Sequence, residues 1–532
     1  MGDSTKSFGS SVSAERSLLT NSLWNYLGAG FAIVITLVTT PLYLRILGLE
    51  RYGLLAILTA ILAPMAVLNS GVTQSTVKFV ASHLALGAVE DARHSTAAAL
   101  LVNIMVGVLG ALVCFVGAPA LSHFDFKVSP ELVPDAVRAL RWMGAVWFLT
   151  QIAGNFRGVV EGVRDLKRVA QGDIANSVLT AFCCVVLTIY TRELSWFIIG
   201  QLIATSIMTL FWWREASRAL GGLQSSWVGA CSKFREVYRF SIWQMANSLV
   251  AIAANSADRY FIALRLSATS LGAYNVALRL QTMGRTLFYS ANQALFPAAS
   301  AASNQPGMSE RLVVMATWHT SFMASLGLGW ITICGPAFLR LWVGAEVSDI
   351  AGVALRILVL TLIFEIPSAT GSSYLNAHAR TRLTALNNVF TTVLTLGLMI
   401  PLGLKYGVTG VAVGALIGLV LTRPALHVWM YFKYFQPHVR ASDYFSAFYG
   451  VGLCCFVWSV ALSPVFDAIS RLLDGALGFL IGTMVVCPLF LSGSVVTIYW
   501  VLNNTDRLRE FARVVVVRNI PLVSPIFARI SR

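Results

Sequence analysis

The chain has 532 residues, 57% of them hydrophobic and only 12% charged, with a net charge of +15 and a mean hydropathy of +0.72. A soluble domain carries about a quarter charged residues, so a soluble fold is excluded. The basic excess flanks apolar runs and reads as a membrane-orientation signal rather than a nucleic-acid footprint, so no nucleic-acid partner is expected.

Apolar runs of about 20 residues, each enough for a hydrocarbon core of ~30 Å, recur along nearly the whole length. They predict an all-α polytopic membrane protein of about 14 transmembrane helices. Residues 1–17 are polar and form a cytoplasmic tail. Leu18 opens the first span, without the short apolar core and small-residue cleavage site of a signal peptide. The spans are expected at 18–44, 52–72, 96–120, 136–156, 169–190, 194–213, 240–264, 271–296, 312–339, 350–375, 383–402, 408–432, 444–463 and 476–502. The fourth is the least apolar, because Arg141 and Trp142 fall within it.

Lys and Arg orient the spans. With the N-terminus inside, 24 of the 39 fall in cytoplasmic segments and 10 outside, counting Arg138 and Arg141 at the outer end of the fourth span; the other five lie deeper within spans or at other span ends. That bias satisfies the positive-inside rule and places both termini in the cytoplasm. The last segment, 503–532, is apolar but broken by Arg513, Arg518, Pro521 and Pro525, and is expected as a basic tail on the inner leaflet.

Span seven repeats span one. Trp24 and Trp243 are 219 residues apart, and at that offset Asn25, Gly28, Thr36 and Thr40 face Gln244, Asn247, Asn255 and Arg259. Steps of three and four put each set on one stripe of its helix. The organisation expected is therefore two pseudo-symmetric six-helix lobes, 18–235 and 236–435, around a central cavity, followed by two further helices in 436–502. A small or polar stripe has two readings, helix packing or the wall of a cavity at a repeat interface.

Several ionisable groups lie within the spans, where each is costly. Asp258 either pairs with an arginine on a neighbouring helix or loads a proton or cation; Arg259, about 100° away on the same helix, is not its obvious partner. Glu365 is the other intramembrane carboxylate, followed by Pro367 as a bending point. Arg356 and Arg423 sit near span ends and are expected to snorkel. His319 reads as a hydrogen-bonded packing residue or a proton relay. Asp125, Glu131 and Asp135, between spans three and four, look like solvated charges. The eight cysteines form no CxxC and read as buried free thiols, so neither a metal site nor a disulfide framework is expected. The tryptophans divide between interface belt and core packing.

The run Asp258-Arg259-Tyr260-Phe261-Ile262, then Leu271-Gly272-Ala273-Tyr274-Asn275-Val276-Ala277-Leu278-Arg279-Leu280, then Ala294-Leu295-Phe296-Pro297-Ala298, resembles the polysaccharide-biosynthesis flippases. These are O-antigen-type translocases of the multidrug/oligosaccharidyl-lipid/polysaccharide exporter superfamily. Thr40-Pro41-Leu42-Tyr43-Leu44-Arg45-Ile46-Leu47-Gly48 with Glu50-Arg51-Tyr52-Gly53-Leu54, and Leu375-Asn376-Ala377-His378-Ala379-Arg380, are similar to that family as well. The resemblance covers about residues 18–435. It implies transfer of a saccharide on polyprenyl diphosphate from the cytoplasmic to the outer leaflet of a cell inner membrane, for cell-surface polysaccharide. It implies no cofactor and no enzymatic centre. Membrane lipids, H⁺ or Na⁺, and polymerase or export proteins are the partners it brings with it.

For such a cargo, Arg279, Arg259 and Arg285 are expected at the diphosphate, whose oxygens match the guanidinium fork. Asn25, Gln244, Asn255, Asn275 and Tyr289 are expected on the cavity wall, and Asp258 and Glu365 at ion coupling. Two alternatives stand beside this reading: a multidrug or small-molecule exporter of the same fold, and a membrane polymerase or ligase of polysaccharide assembly. Intramembrane arginines disfavour cationic drugs, and no GxSxG, HExxH or Gly-rich phosphate loop stands in a suitable context.

Overall fold

The computed structural model describes residues 4–123, 128–163, 165–224, 226–292, 307–378, 380–473 and 475–502, with side chains from about residue 28 onward and not at every position. Among these residues the chain is all-helical, with fourteen helices in the expected order. The first two form one run, Ser4–Ala85, divided at Gly48 into α1 (4–47) and α2 (49–85). There follow α3 (Val89–Gly117), α4 (Val133–Gly162), α5 (Leu166–Thr191), α6 (Leu194–Ala219), α7 (Trp227–Arg265), α8 (Ala268–Asn292), α9 (Met308–Trp342) and α10 (Ala345–Ala377). The run Thr381–Met430 is divided at Gly407 into α11 (381–406) and α12 (408–430); α13 (Ala441–Leu472) and α14 (Ala476–Leu502) complete the set. Gly48 and Gly407 have φ of 79° and 62°. Side chains disfavour that region, and glycine lets the chain turn there within a residue or so.

Among the described residues, nine helical stretches are long and apolar enough to cross a bilayer. The protein is multi-pass. Several helices outrun their predicted spans. Hydropathy marks the thickness of hydrocarbon, whereas α2 continues through polar residues until the Leu86-Gly87 turn. Likewise α7 begins at Trp227, not near 240, with Ser226 accepting from the Gly229 N–H as its cap.

By compactness the chain divides into residues 1–275 and 276–532. This division follows packing rather than internal repetition, and α7 packs with the helices before it. In the first unit, Ala230 and Val237 are buried and Val237 joins Phe79, Ala98 and Val102 in one cluster. Lys233 pairs with Asp91 at 3.3 Å, and Arg93 donates to the carbonyls of Leu220 and Gly221. A second apolar cluster joins Val80, Phe156, Val160, Met208 and Trp212. Asn155, fully buried, accepts from Thr76 and Asn103 and donates to Thr96, tying α2, α3 and α4 together inside the apolar interior.

In the second unit the core gathers Trp318, Phe435, Tyr444, Phe448, Phe466 and Phe490. The last two come from α13 and α14, so these helices contribute to that core. A Cβ on Gly329 of α9 would meet the Phe490 ring at 2.5 Å, which shows how closely α14 lies on α9.

Several expectations change. Asp135 is not a solvated charge. It is 7% exposed, and its two oxygens accept from the N–H groups of Leu194 and Ser195 at 2.6 and 3.0 Å. It therefore caps α6 from the start of α4, satisfying donors that a helix N-terminus leaves orphaned. Arg356 does not snorkel. It donates to both oxygens of Asp467 at 2.7 and 2.8 Å and to the carbonyls of Thr332 and Ile333. Arg423 donates to Asn388 at 3.0 Å. His319 bonds the carbonyl of Met315 within its own helix. Cys231 is exposed on the first turns of α7, while the other cysteines are buried or partly buried. Glu131 is exposed; Asp125 and residues 503–532 lie outside the described residues.

Candidate functional site

The first unit holds one group of polar side chains around the α7–α8 turn. Backbone proximity sets it up. A Cβ on Gly53 would lie 1.8 Å from the Ala268 carbonyl oxygen, and one on Gly272 would lie 2.8 Å from the Leu49 carbonyl oxygen. Only glycine permits this approach, so the start of α8 lies directly on the start of α2. Two residues beyond Gly272, the Tyr274 hydroxyl donates to Asp258 Oδ2 at 2.9 Å, and the Arg259 N–H donates to Oδ1 at 2.8 Å. Tyr274 is 1% exposed. The Asp258 carboxylate is thus held by a hydroxyl and a backbone N–H. Neither an arginine of a neighbouring helix nor Arg259 lies within ion-pair distance among the described residues. Of the two readings of Asp258, the pair with an arginine of a neighbouring helix is not seen among the described residues, and the carboxylate is held by Tyr274 instead.

Arg259 itself is partly buried, and its Nε is buried with no acceptor among the described residues. Tyr260, next on the helix, donates its hydroxyl to the Ala60 carbonyl of α2. Asn275 is partly buried at the end of this unit. The side chains of Asn25, Gln244 and Asn255 lie outside the described residues.

The second unit holds another group on α8 and α10. Arg285 Nη1 stands 3.4 Å from Glu365 Oε1, with side-chain exposures of 39% and 21%. One turn earlier, Gln281 donates to the Leu358 carbonyl and to the Thr361 hydroxyl at 3.0 and 2.9 Å. Two residues expected in different roles, cargo contact and ion coupling, are therefore brought together as a pair. Arg279 is partly buried, and Thr282 and Thr286 on its stripe are exposed, so this face of α8 is the less buried one. The Tyr289 side chain lies outside the described residues.

Two residues escaped sequence reasoning. Tyr274 lay within the motif but carried no signal of its role, since its partner is sixteen residues away. His427, fully buried in α12, bonds the Tyr449 hydroxyl and packs edge-on against Phe448; its position inside an apolar span was the available signal.

The chain matches the family model described as "Polysaccharide biosynthesis protein" over residues 18–303. It is 21% identical over 431 residues to a protein of Shigella flexneri named as a candidate O-antigen transporter, covering 78% of this chain and 98% of that one. It is 22% identical to the lipopolysaccharide biosynthesis protein WzxC of Escherichia coli (strain K12), covering 81% and 83%. The fold is similar to the lipid II flippase MurJ in an inward closed conformation. The TM-score is 0.68 at 14% identity, covering 89% of this chain and 98% of that one. With the model match spanning more than half of its length, the chain belongs to the polysaccharide biosynthesis protein family.

Proposed function

We propose that the protein is a flippase that moves a lipid-linked oligosaccharide, or a polysaccharide repeat unit on polyprenyl diphosphate, from the cytoplasmic to the outer leaflet of a cell inner membrane. The observation that carries this reading is the family match, joined by relatives named for O-antigen and lipopolysaccharide across about four-fifths of the chain. The Lys/Arg bias supports cytoplasmic termini.

The chemistry fits that cargo. A diphosphate cannot cross hydrocarbon unaided, since burying an ion without a partner is prohibitive. Arg259 has a buried donor without an acceptor among the described residues, and a phosphate oxygen is the strongest acceptor it could receive. Arg285 is occupied by Glu365 at a long 3.4 Å, a contact weak enough to exchange for a phosphate. Asp258 and Glu365 are the groups through which a proton or Na⁺ gradient would act. Neutralising Glu365 releases Arg285 to the cargo, and neutralising Asp258 removes the charge that Tyr274 and the Arg259 N–H face.

The test uses purified protein in liposomes carrying fluorescent polyprenyl-diphosphate oligosaccharide, with outer-leaflet label read by quenching with and without a pH gradient. Wild type is expected to translocate, Arg259→Ala and Arg279→Ala to lose about tenfold or more in rate, and Glu365→Gln to lose the gradient dependence. Failure of a folded wild type across several lipid-linked sugars overturns the proposal.

A further inference from the structure

Between α2, α3, α4 and α7 of the first unit lies a cavity of about 340 Å³. Ile57, Ala60, Val113, Leu140, Tyr260 and Leu264 are among its walls, and every wall side chain apart from Tyr260 is aliphatic or glycine. The Tyr260 O–H is already donated to the Ala60 carbonyl, so it is not free for a ligand. A polar molecule entering here loses its hydration without recovering hydrogen bonds. A hydrocarbon chain gains in proportion to the area it buries. Val113 and Leu264 are 48% exposed, so the cavity has edges on the protein surface.

The neighbour of Tyr260 selects among hydrocarbon chains. Arg259 is one residue away, with Cα atoms about 3.8 Å apart, and its buried Nε has no acceptor among the described residues. The place thus combines an apolar hollow with a neighbouring guanidinium whose Nε has no hydrogen-bond acceptor among the described residues. A prenyl diphosphate answers both, because its branched chain is joined directly to the diphosphate. A phospholipid sets an ester-linked glycerol between phosphate and chains.

We propose that this cavity takes the first isoprene units of the cargo's prenyl chain while Arg259 holds the diphosphate to which they are joined. The proposal rests on the flippase reading and adds to it a subsite for the lipid, so that the carrier's chain as well as its headgroup is recognised in the first unit.

Gly117 lines the cavity on helical backbone, and a Cβ there meets nothing within 4 Å, so Gly117→Phe fills the hollow without straining the chain. Binding to full-length protein in nanodiscs is measured with farnesyl diphosphate and with inorganic diphosphate. Gly117→Phe is expected to weaken farnesyl diphosphate about tenfold, the effect of losing about two buried methylenes, and to leave inorganic diphosphate within about twofold of wild type. On wild-type protein, a diazirine analogue of farnesyl diphosphate is expected to label Ile61, Val113 or Leu264. Unchanged farnesyl diphosphate binding in Gly117→Phe, equal losses for both probes, or labelling displaced equally by a phospholipid overturns the proposal. If wild type flips lipid-linked oligosaccharide while these tests fail, the cavity assignment alone falls. If it flips none while farnesyl diphosphate binding stays sensitive to Gly117→Phe, the flippase reading falls and the prenyl subsite stands.

Discussion

Replacing Arg356 by leucine tests whether an intramembrane arginine here is a brace. Pro336 lies inside α9 and has no N–H to give the carbonyl four residues back, which belongs to Thr332. Arg356 Nε supplies the missing bond at 3.0 Å, and Nη2 bonds both oxygens of Asp467 on α13. Ser348 and Gly352, at four-residue steps on the same face of α10, also meet Pro336: the Ser348 hydroxyl donates to its carbonyl, and a Cβ on Gly352 would touch its ring. Arg356→Leu strands a carboxylate and a carbonyl at once. Breaking a fully buried pair costs about 3–5 kcal/mol; with side-chain exposures of 21% and 24%, the low end, about 3 kcal/mol, is expected. Asp467→Asn keeps an acceptor and costs about 1 kcal/mol. Arg356→Leu with Asp467→Val removes both charges and leaves only the carbonyl, so a coupling of about 2 kcal/mol is expected. Adding Pro336→Ala to Arg356→Leu returns the N–H and recovers about 1 kcal/mol. Unfolding by SDS titration in mixed micelles measures each. Losses for Arg356→Leu and Asp467→Val that add within about 0.5 kcal/mol would refute the reasoning.

Asp135→Ala removes a cap that satisfies two N–H groups of α6, and a loss of about 1–2 kcal/mol is expected in the same titration; an unchanged midpoint would assign Asp135 no capping role. Gly53→Ala puts a Cβ 1.8 Å from the Ala268 carbonyl oxygen, a clash between two backbones that no side-chain rotation relieves. Its monodisperse yield on gel filtration is expected to collapse, whereas Gly397→Ala, with nothing within 4 Å of the new atom, should elute as wild type.

Hydropathy alone reveals the fourteen helices and their order, because a bilayer demands long apolar helices and little else. It does not reveal which helices touch. Gly53 and Gly272 lie in the stretches that carry the family resemblance, yet only the structure shows that one pair of backbones meets there. Charges misled in a consistent way. Asp135 and Arg356 near span ends looked like residues reaching for water, and each is instead used by a helix remote in sequence. Asp258 admitted either an arginine partner or a coupling role, and its hydroxyl partner Tyr274 was not legible. A polar group's partner depends on which helix faces it, and periodicity along one helix carries no information about that. Arg259, Arg285 and Glu365 were legible as residues of interest because charge inside a membrane is expensive; the pairing of the last two was not.

The cap on α6 also has a consequence for how the protein is made. Asp135 and the Leu194 N–H that donates to it are 59 residues apart, with all of α5 between them. When α4 first enters the bilayer, its carboxylate has only Arg138, one turn on in the same helix at 3.9 Å, and its two N–H donors do not exist until the ribosome has produced the start of α6. That end of α4 therefore passes through synthesis with a carboxylate short of its hydrogen bonds, which keeps it near water. Its burial at Leu194 and Ser195 marks the moment at which α4, α5 and α6 stop being separate insertions and become one assembled piece.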